Sequence, residues 1–232
     1  MPLGEFMLSG VKKVLVLEPH PDDLVIGCGG LVQKLVSNGA HVHCLLMSEV
    51  PPHYRKIYDE SGAYTEYDGA SRMVEAETAA NILGVAGRST AFGHEWHHKL
   101  DALPRSDLIS AMEKCVKEIQ PELVLVPERS FNQDHVAVFE AFQAVMRPHF
   151  YRGMVLAYET TMEREFEPNV LVSLTEKEVA TKLDACKAYK SQLGSANHLF
   201  SLETMELSMR YRGKLIYANA AEAFRLVRAT YL

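Results

Sequence analysis

Short apolar runs alternate along this chain with segments that carry apolar residues at helical spacing. Residues 14–17 form a continuous apolar run, which predicts a buried strand, and residues 29–37 follow with apolar side chains three and four positions apart. Repeated strand–helix units of this kind pack as a parallel sheet with helices on both faces. The sequence therefore predicts an α/β, Rossmann-like fold with a mostly parallel sheet in a single domain.

The same patterns predict the remaining elements. Strands are expected at residues 42–47, 89–92, 123–126, 154–158 and 170–172. Helices are expected at residues 71–83, 106–119, 135–146, 176–189, 202–211 and 218–229. Residues 48–70 are polar, with tyrosines and histidines interspersed, and loops of this length are usually functional or disordered. We expect this segment to form a loop over the carboxyl ends of the strands.

Composition limits the classes of partner. With 232 residues, 47% of them hydrophobic, the chain can bury one compact core, and we assign residues 11–232 to a single domain. Residues 1–10 fit no element and are expected to be a disordered end or a remnant of cloning. The formal net charge of −6 argues against a nucleic-acid partner, because sequence-independent binding needs a basic face. No apolar run approaches the roughly 20 residues of a membrane span.

The cysteines and the start of the chain indicate a compartment. Four cysteines lie far apart in apolar or helical patterns, without a Cys-x-x-Cys pair: Cys28, Cys44, Cys115 and Cys186. Such spacing is typical of reduced thiols in a cytoplasmic core. No charged and then apolar leader precedes a small-residue cleavage site, so secretion is not expected. We therefore predict a cytoplasmic protein, and the sequence is compatible with an oligomer.

Two polar clusters carry the candidate chemistry. The run Pro-His-Pro-Asp-Asp at residues 19–23 follows the first predicted strand, and Asn-Gln-Asp-His at residues 132–135 follows the strand at residues 123–126. Ligands gather at the carboxyl ends of the strands in open α/β sheets. Two histidine-and-aspartate clusters at two strand ends can converge on one metal ion, which indicates a metal-dependent hydrolase.

Within the first cluster, His20 and Asp23 are three residues apart in a turn, so both side chains can face one point. An imidazole nitrogen and a carboxylate oxygen suit zinc or another divalent transition metal, and His135 is the best third ligand. A catalytic zinc keeps a fourth position for water. Asp22 is then left beside the metal, where its carboxylate can accept a proton from that water.

Two further residues of the second cluster have chemistry to offer. Asn132 is a neutral hydrogen-bond donor near the third ligand and can help to stabilise an oxyanion. Asp134 can orient an imidazole from behind the ligands. We therefore include both in the candidate catalytic set.

Simpler interpretations of the same residues stay open. A His-x-x-Asp sequence after a strand is often only a polar turn, and the run Gly-Cys-Gly-Gly at residues 27–30 can be only a tight start of a helix. That run lacks the G-x-G-x-x-G spacing, and the acidic residues before it disfavour a phosphate cradle, so we discount a dinucleotide site. The remaining histidines considered are interpreted as loop, core or sheet-surface residues rather than metal ligands: His41, His43, His94, His97 and His98.

These motifs resemble those of the LmbE-like (PIG-L) de-N-acetylases, zinc-dependent enzymes that remove acetyl groups from N-acetylglucosamine-type sugars. The most specific matches are the runs at residues 19–23 and 27–30, and the resemblance covers most of the chain. Further matches are Arg72 with Glu75, and residues 79–80, 83–84, 132–135, 158–159, 166–169, 189–192, 212–213 and 221–224. The later motifs resemble the branch found with bacterial glycan and natural-product pathways.

The resemblance implies three metal ligands, His20, Asp23 and His135. It also implies Asp22 as the general base and Arg72 as a substrate contact. The implied activity is removal of an acetyl group from an N-acetylated amino sugar or its conjugate, by attack of a zinc-bound water. Two alternatives are a metal-dependent hydrolase of another amide or ester, and a non-catalytic carbohydrate-binding relative, against which the presence of Asp22 argues.

The chain departs from the family pattern at two positions. Leu24 stands where the family usually has a glutamate after the paired aspartates. Asn132 stands where the family has the first histidine of His-x-Asp-His, which is credited with stabilising the oxyanion. An asparagine can donate a hydrogen bond but supplies neither a full positive charge nor a proton. Protonation of the leaving group is therefore expected to fall to Asp22 or to another residue.

Overall fold

The protein is described by a computed structural model that covers residues 8, 10–57, 64–160, 166–194 and 198–230. Its main sheet contains β1 (Lys13–Glu18), β2 (His41–Ser48), β5 (Gly87–Phe92), β6 (Leu123–Pro127), β7 (Met154–Tyr158), β8 (Val170–Leu174) and β9 (Ala220–Arg228). A separate two-stranded sheet contains β3 (His53–Ile57) and β4 (Tyr64–Asp68). The helices are α1 (Asp23–Ser37), α2 (Gly69–Leu83), α3 (Arg105–Ile119), α4 (Gln133–Val145), α5 (Glu176–Lys187) and α6 (Leu202–Lys214).

The main sheet is mostly parallel, as predicted. Its strand order is β5-β2-β1-β6-β7-β9-β8. The first five of these strands pair in parallel, and β9 pairs antiparallel with both β7 and β8. The α/β fold class predicted from the alternating pattern is confirmed.

Helices cover both faces of the parallel strands. In β1, Val14 and Val16 belong to a hydrophobic cluster shared with α1, α2 and α5, whereas Leu15 and Leu17 belong to a cluster shared with α3 and α4. Successive side chains of a strand point to opposite faces, so a strand covered on both sides is a continuous apolar run. This arrangement explains why residues 14–17 contain no polar side chain.

The order of the strands places a crevice at the carboxyl end of β1. The chain proceeds from β1 to β2 on one side, while β6 pairs with the other side of β1. The connections leave in opposite directions at this point, and ligands bind in such crevices in open α/β sheets. The two polar clusters of the sequence follow β1 and β6, so the fold brings both to one place.

Helix α1 is interrupted immediately after the first cluster. The backbone at Cys28 leaves the helical region, with φ −144° and ψ 15°. Beyond the break, the amides of Gly30 and Leu31 donate to the two carboxylate oxygens of Glu222, at 2.8 and 2.7 Å. Lys182 donates to Glu222 and to the carbonyl of Ile26, both at 2.7 Å. This buried ion pair therefore satisfies backbone groups on both sides of the break.

The predicted helix at residues 218–229 is wrong, because this segment is strand β9. Its alanines favour a helix locally. In the fold, however, β9 pairs with a strand on each side, and residues 220–224 are all buried. Pairing and burial on the sheet override the local preference, as is common for strands.

The predicted loop at residues 48–70 is also wrong in its described part. It contains β3, β4 and the start of α2, while residues 58–63 lie outside the described residues. Helix α2 begins at Gly69 rather than at Ser71, because Asp68 caps it: the Asp68 carboxylate accepts from the Ala70 amide at 3.1 Å and from the Ser71 hydroxyl at 3.0 Å.

Two other expectations concern the chain end and membranes. Most of residues 1–10, expected to be disordered or appended, lie outside the described residues, although Leu8 packs against the core. Among the described residues, no helix combines the length and the apolar character that a membrane span requires.

The close packing at Gly27 yields a stability prediction. An added Cβ would lie 2.1 Å from Tyr158 Cδ2 and 2.7 Å from the Glu159 carbonyl oxygen. We expect Gly27→Ala to lower the free energy of unfolding by about 1–3 kcal/mol, the usual cost of overpacking. Gly29→Ala is the matched control, because its Cβ would make only ordinary van der Waals contacts, at 3.4 Å from Lys182 Cγ and 3.5 Å from Leu83 Cδ1. Thermal denaturation of both variants measures the difference, and equal losses would contradict the packing described.

Candidate metal centre

Three side chains from the two clusters meet at the crevice. Asp23 Oδ2 lies 3.3 Å from His20 Nδ1 and 3.2 Å from His135 Nε2, and the two imidazole nitrogens lie 3.3 Å apart. All three residues are buried. The sequence analysis named these three residues as metal ligands, and the structure brings them together.

The turn after β1 fixes the first two of these side chains. The His20 amide donates to Asp23 Oδ2 at 2.8 Å, and the Asp23 amide donates to the His20 carbonyl at 3.1 Å. Between them, the Pro21 carbonyl accepts a hydrogen bond from the buried Tyr189 hydroxyl. A tight turn held from behind by Tyr189 therefore presents an imidazole and a carboxylate to the same point.

The third side chain is oriented by hydroxyl groups. His135 lies in the first turn of α4, and its Nδ1 is 3.1 Å from the Ser130 hydroxyl and 3.4 Å from the Thr160 hydroxyl. When a hydroxyl oxygen accepts from Nδ1–H, the lone pair is left on Nε2, the nitrogen that faces Asp23. Metal-ligating histidines almost always carry such a partner on the other ring nitrogen.

Asp134 lies behind His20 and has no exposed surface. Its Oδ2 is 3.1 Å from His20 Nε2, and its Oδ1 accepts from the Leu100 amide at 3.0 Å. A carboxylate in this position fixes the ring and its tautomer, leaving Nδ1 free to act as a ligand. His98 also has a ring nitrogen within 4.8 Å of a ring nitrogen of His20 and a carboxylate oxygen of Asp134, two residues that are hydrogen-bonded to each other.

The electrostatics of the centre suit a cation. Burial lowers the pKa of His20, but hydrogen bonds to Asp134 and Asp23, together with their charges, outweigh burial and raise this pKa to about 9. Burial raises the pKa of Asp23, but the charge and hydrogen bonding of His135 outweigh it and hold this pKa well below its usual range. Asp23 is therefore ionised, and the positive charge it pairs with can come from a metal ion instead.

The donor set fits zinc or another divalent transition metal. Two imidazole nitrogens and one carboxylate oxygen lie within 4.8 Å of one another. Three protein ligands of these kinds, with a further position open, are characteristic of catalytic rather than structural zinc sites. When bound, such an ion polarises a carbonyl oxygen and lowers the pKa of a coordinated water.

Asp22 is paired with Arg72. The Arg72 guanidinium, buried in α2, donates to Asp22 Oδ2 at 2.9 Å. Asp22 itself is partly exposed, unlike its neighbour Asp23. The sequence analysis gave these two residues separate roles as base and substrate contact, whereas the structure places them in one ion pair.

Asn132 has a structural contact that its sequence position did not reveal. It is the N-cap of α4, where its side-chain oxygen accepts from the Asp134 amide at 2.9 Å. The backbone N–H of Asn132 donates to the Ser130 hydroxyl at 3.0 Å. Asn132 therefore helps to position both Asp134 and the hydroxyl that faces His135. This cap also explains why α4 begins at Gln133 and not at the predicted residue 135.

Two histidines that the sequence analysis interpreted as loop or core residues lie against the centre. The ring centroids of His97 and His98 are 5.5 and 4.7 Å from that of His20. Burial, together with neighbouring imidazoles, lowers the pKa of His97 to about 2 and that of His98 to about 4. Their position in the sequence could have indicated this proximity, because both follow β5, which ends at the same edge of the sheet as β1. In contrast, His94 from the same segment is exposed.

Glu18 is a further buried group that supports the first cluster. One of its carboxylate oxygens accepts from the Leu24 amide at 3.3 Å, and the other accepts from Arg88 at 2.6 Å and from the Cys44 thiol at 3.1 Å. Burial raises the pKa of Glu18 despite the nearby Arg88. Glu18 thus fixes the first turn of α1 through the backbone of Leu24, the residue that stands where the resembled family has a glutamate.

His20, Asp23 and His135 are called the triad below. The fold and the triad define a class: an α/β protein with a His–Asp–His centre at the crevice of its sheet. The family model described as PIG-L, GlcNAc-PI de-N-acetylase, matches residues 15–146, more than half of the chain. The chain belongs to this family.

Two proteins of similar sequence and one of similar fold can be named beside this family. The uncharacterised deacetylase YaiS of Escherichia coli K12 is 26% identical over 82% of this chain and 98% of its own. The diacetylchitobiose deacetylase of Thermococcus kodakarensis is 27% identical over 97% of this chain and 86% of its own. The fold is also that of GalB, the 4-carboxy-2-hydroxymuconate hydratase of Pseudomonas putida KT2440, with a TM-score of 0.71, 21% identity, and coverage of 95% and 98% of the two chains.

The triad yields a prediction about metal content. We expect one tightly bound divalent ion per chain in protein purified without added metal, as measured by elemental analysis. His135→Ala should lose it, because only two protein ligands remain, whereas His94→Ala, at an exposed histidine, should retain it. Asp134→Asn should weaken metal affinity by about 10–100-fold, the usual effect of losing a residue that orients a ligand. Full metal content in His135→Ala would contradict the assignment.

Proposed function

We propose that this chain is a zinc-dependent N-deacetylase that hydrolyses the acetamide of an N-acetylated amino sugar or its conjugate. The observation that carries the proposal is the triad of His20, Asp23 and His135 with a separate carboxylate, Asp22, beside it. Three ligands and a carboxylate that is not a ligand, able to act as a base, are the groups that metal-assisted amide hydrolysis requires. The similarity to the diacetylchitobiose deacetylase, at 27% identity, supports the substrate class.

Asp22 is the general base in this proposal. Its carboxylate accepts a proton from the attacking water and then delivers a proton to the departing amine, which leaves with acetate as the second product. The ion pair with Arg72 supports this role, because the guanidinium fixes the direction of the carboxylate at 2.9 Å. A purely carbohydrate-binding protein has no use for an oriented carboxylate next to a metal site, so the pair also argues against a non-catalytic relative.

Arg72 and Asp134 orient the reacting groups. Asp134 fixes the His20 ring through Nε2, which directs Nδ1 towards the metal. Arg72 keeps the role of substrate contact in addition to holding Asp22, since a guanidinium carries five N–H donors and can serve both a carboxylate and a sugar hydroxyl. Asn132 contributes through the cap of α4, and its side-chain NH2 group is proposed as a donor to the oxyanion.

The proposal also includes the extent of the catalytic domain and the cellular compartment of the protein. We propose that residues 11–232 form one catalytic unit, which is supported by the pairing of β9 with β7 in the main sheet. We also propose a cytoplasmic location, which is supported by four cysteines that are all free and buried. The partner is a small N-acetylated sugar or sugar conjugate.

A panel of N-acetylated amino sugars and their glycosides, assayed for released acetate, tests the activity. We expect acetate and one equivalent of free amine from at least one of them, with loss of activity after chelation and recovery with zinc. Parallel assays with acetyl esters and other amides distinguish the alternative hydrolases. Turnover of esters alone, or of none of the substrates by metal-replete protein, would contradict the proposal.

The proposed role of Asp22 as general base yields a prediction about turnover and metal content. Asp22→Asn keeps nearly the same shape and removes the proton acceptor, so we expect turnover to fall by about 100-fold or more while metal content is unchanged. Acetate release and elemental analysis on the same preparation measure both. Retained activity would transfer the role to another residue, and lost metal would make Asp22 a ligand.

Asn132 can be tested as a cap and as a donor separately. Asn132→Ala removes both functions and should lower the stability by about 1 kcal/mol as well as kcat. Asn132→Ser is the matched control, because serine caps a helix about as well but lacks the NH2 group. If the side-chain NH2 group of Asn132 donates to the oxyanion, both variants should lower kcat more than they raise KM. The activation free energy should then rise by up to about 3 kcal/mol. Wild-type turnover in Asn132→Ser would reduce Asn132 to a capping residue.

A further inference from the structure

A histidine next to the triad has no part in the mechanism above. His98 lies in the segment after β5, and its ring centroid is 4.7 Å from that of His20, with the planes tilted by 40°. The ring of His97 packs against it with a centroid distance of 4.2 Å. Two neighbouring imidazoles therefore hold the ring of His98 against a metal ligand, although His98 is not one of the three.

His98 is the accessible member of this group of rings. His20 and His97 are 4% and 5% exposed, whereas His98 is only partly buried. Asp22, the proposed base, is also partly exposed, and the charges of Asp22 and Arg72 both act on the His98 imidazole. A substrate that reaches Asp22 from solvent therefore also comes close to His98.

The backbone at His98 is fixed in a costly conformation. Its φ is 58°, in the left-handed region, which is strained for a residue other than glycine. Gln133, the first residue of α4, donates from its side chain to the His98 carbonyl at 2.9 Å. This bond ties the strained residue to the helix that carries His135. Strain held in place by neighbouring structure is concentrated at functional sites.

Amide hydrolysis has a use for a donor at this position. Negative charge develops on the acetyl oxygen in the transition state, and a hydrogen-bond donor held in advance stabilises it. The side-chain oxygen of Asn132 is committed to the cap of α4, which leaves that residue only its NH2 group. An imidazole can donate through a ring N–H even when it is neutral.

We propose that His98 is a catalytic residue, whose imidazole donates a hydrogen bond to the acetyl oxygen of the bound substrate. The inference rests on the proposed deacetylase function. It adds a residue from the β5 segment to a site otherwise built from the segments after β1 and β6.

The test compares acetate release by metal-replete wild type and variants, on the N-acetylated sugar that the wild type hydrolyses fastest. His98→Gly removes the imidazole and adopts a φ of 58° without strain. We expect kcat to fall by about 100–1,000-fold with little change in KM, the pattern of a lost oxyanion donor. His94→Ala, at an exposed histidine of the same segment, should match the wild type.

A second pair of variants separates hydrogen-bond donation from the shape of the side chain. Asparagine and aspartate have nearly the same size and both tolerate the left-handed region. His98→Asn keeps an N–H donor, whereas His98→Asp has none and adds a negative charge. We expect kcat of His98→Asn to exceed that of His98→Asp by about 100-fold or more. This comparison stands even when His98→Gly does not fold.

The outcomes distinguish this inference from the proposed function. Wild-type kcat in His98→Gly, or equal kcat in His98→Asn and His98→Asp, overturns it while leaving the deacetylase intact. Loss of metal from His98→Gly also overturns it, because His98 would then support the ligand His20 rather than the substrate. A wild type that releases no acetate overturns the proposed function, and the role of His98 with it.

Discussion

The parallel pairing of β1 with β6 is the constraint on which the candidate metal centre depends. His20 and His135 are separated by 115 positions in the chain, and their nitrogens come within 3.3 Å only because the two strands lie side by side and point the same way. The change of direction in strand order at β1 opens a crevice at that edge. Each cluster is short and local, and the sheet turns the two into one site.

Several charged groups around the centre come in pairs in which at least one member is buried. They are Asp22 with Arg72, Glu18 with Arg88, and Glu222 with Lys182. A buried charge without its partner is costly, and removal of one partner from such a pair is typically strongly destabilising. Each pair also binds or adjoins the backbone of the Pro-His-Pro-Asp-Asp turn or α1. The charges therefore fix the shape of the segment that supplies two of the three proposed ligands.

Much of the fold and of the site followed from local pattern. The apolar runs of β1 and β6 are buried on both faces, so they stand out in the sequence, and polar residues directly after such strands mark the ligand edge. The triad could be named because His20 and Asp23 share one turn and His135 follows the neighbouring strand. The family resemblance rested on the same runs, and the match over residues 15–146 confirms it.

The remaining features depend on contacts between distant segments. Strand β9 has an alanine-rich sequence that favours a helix, and only its two neighbouring strands make it extended. Glu222 carries no sign in the sequence that it binds the amides at the break in α1, 192 residues away. His98 was interpreted as a loop or core histidine because nothing local connects it to His20. The pairing of Asp22 with Arg72 joins a turn to a helix 50 residues later.

The measurement that tests the central claim most directly is anomalous X-ray diffraction at the zinc edge, from crystals of protein purified without added metal. The account predicts one strong peak per chain, about 2.0–2.2 Å from a nitrogen of His20, a nitrogen of His135 and an oxygen of Asp23. Asp22 should lie beside the peak without touching it. A metal-replete crystal in which the peak lies elsewhere, or in which His135 points away from His20, would contradict it.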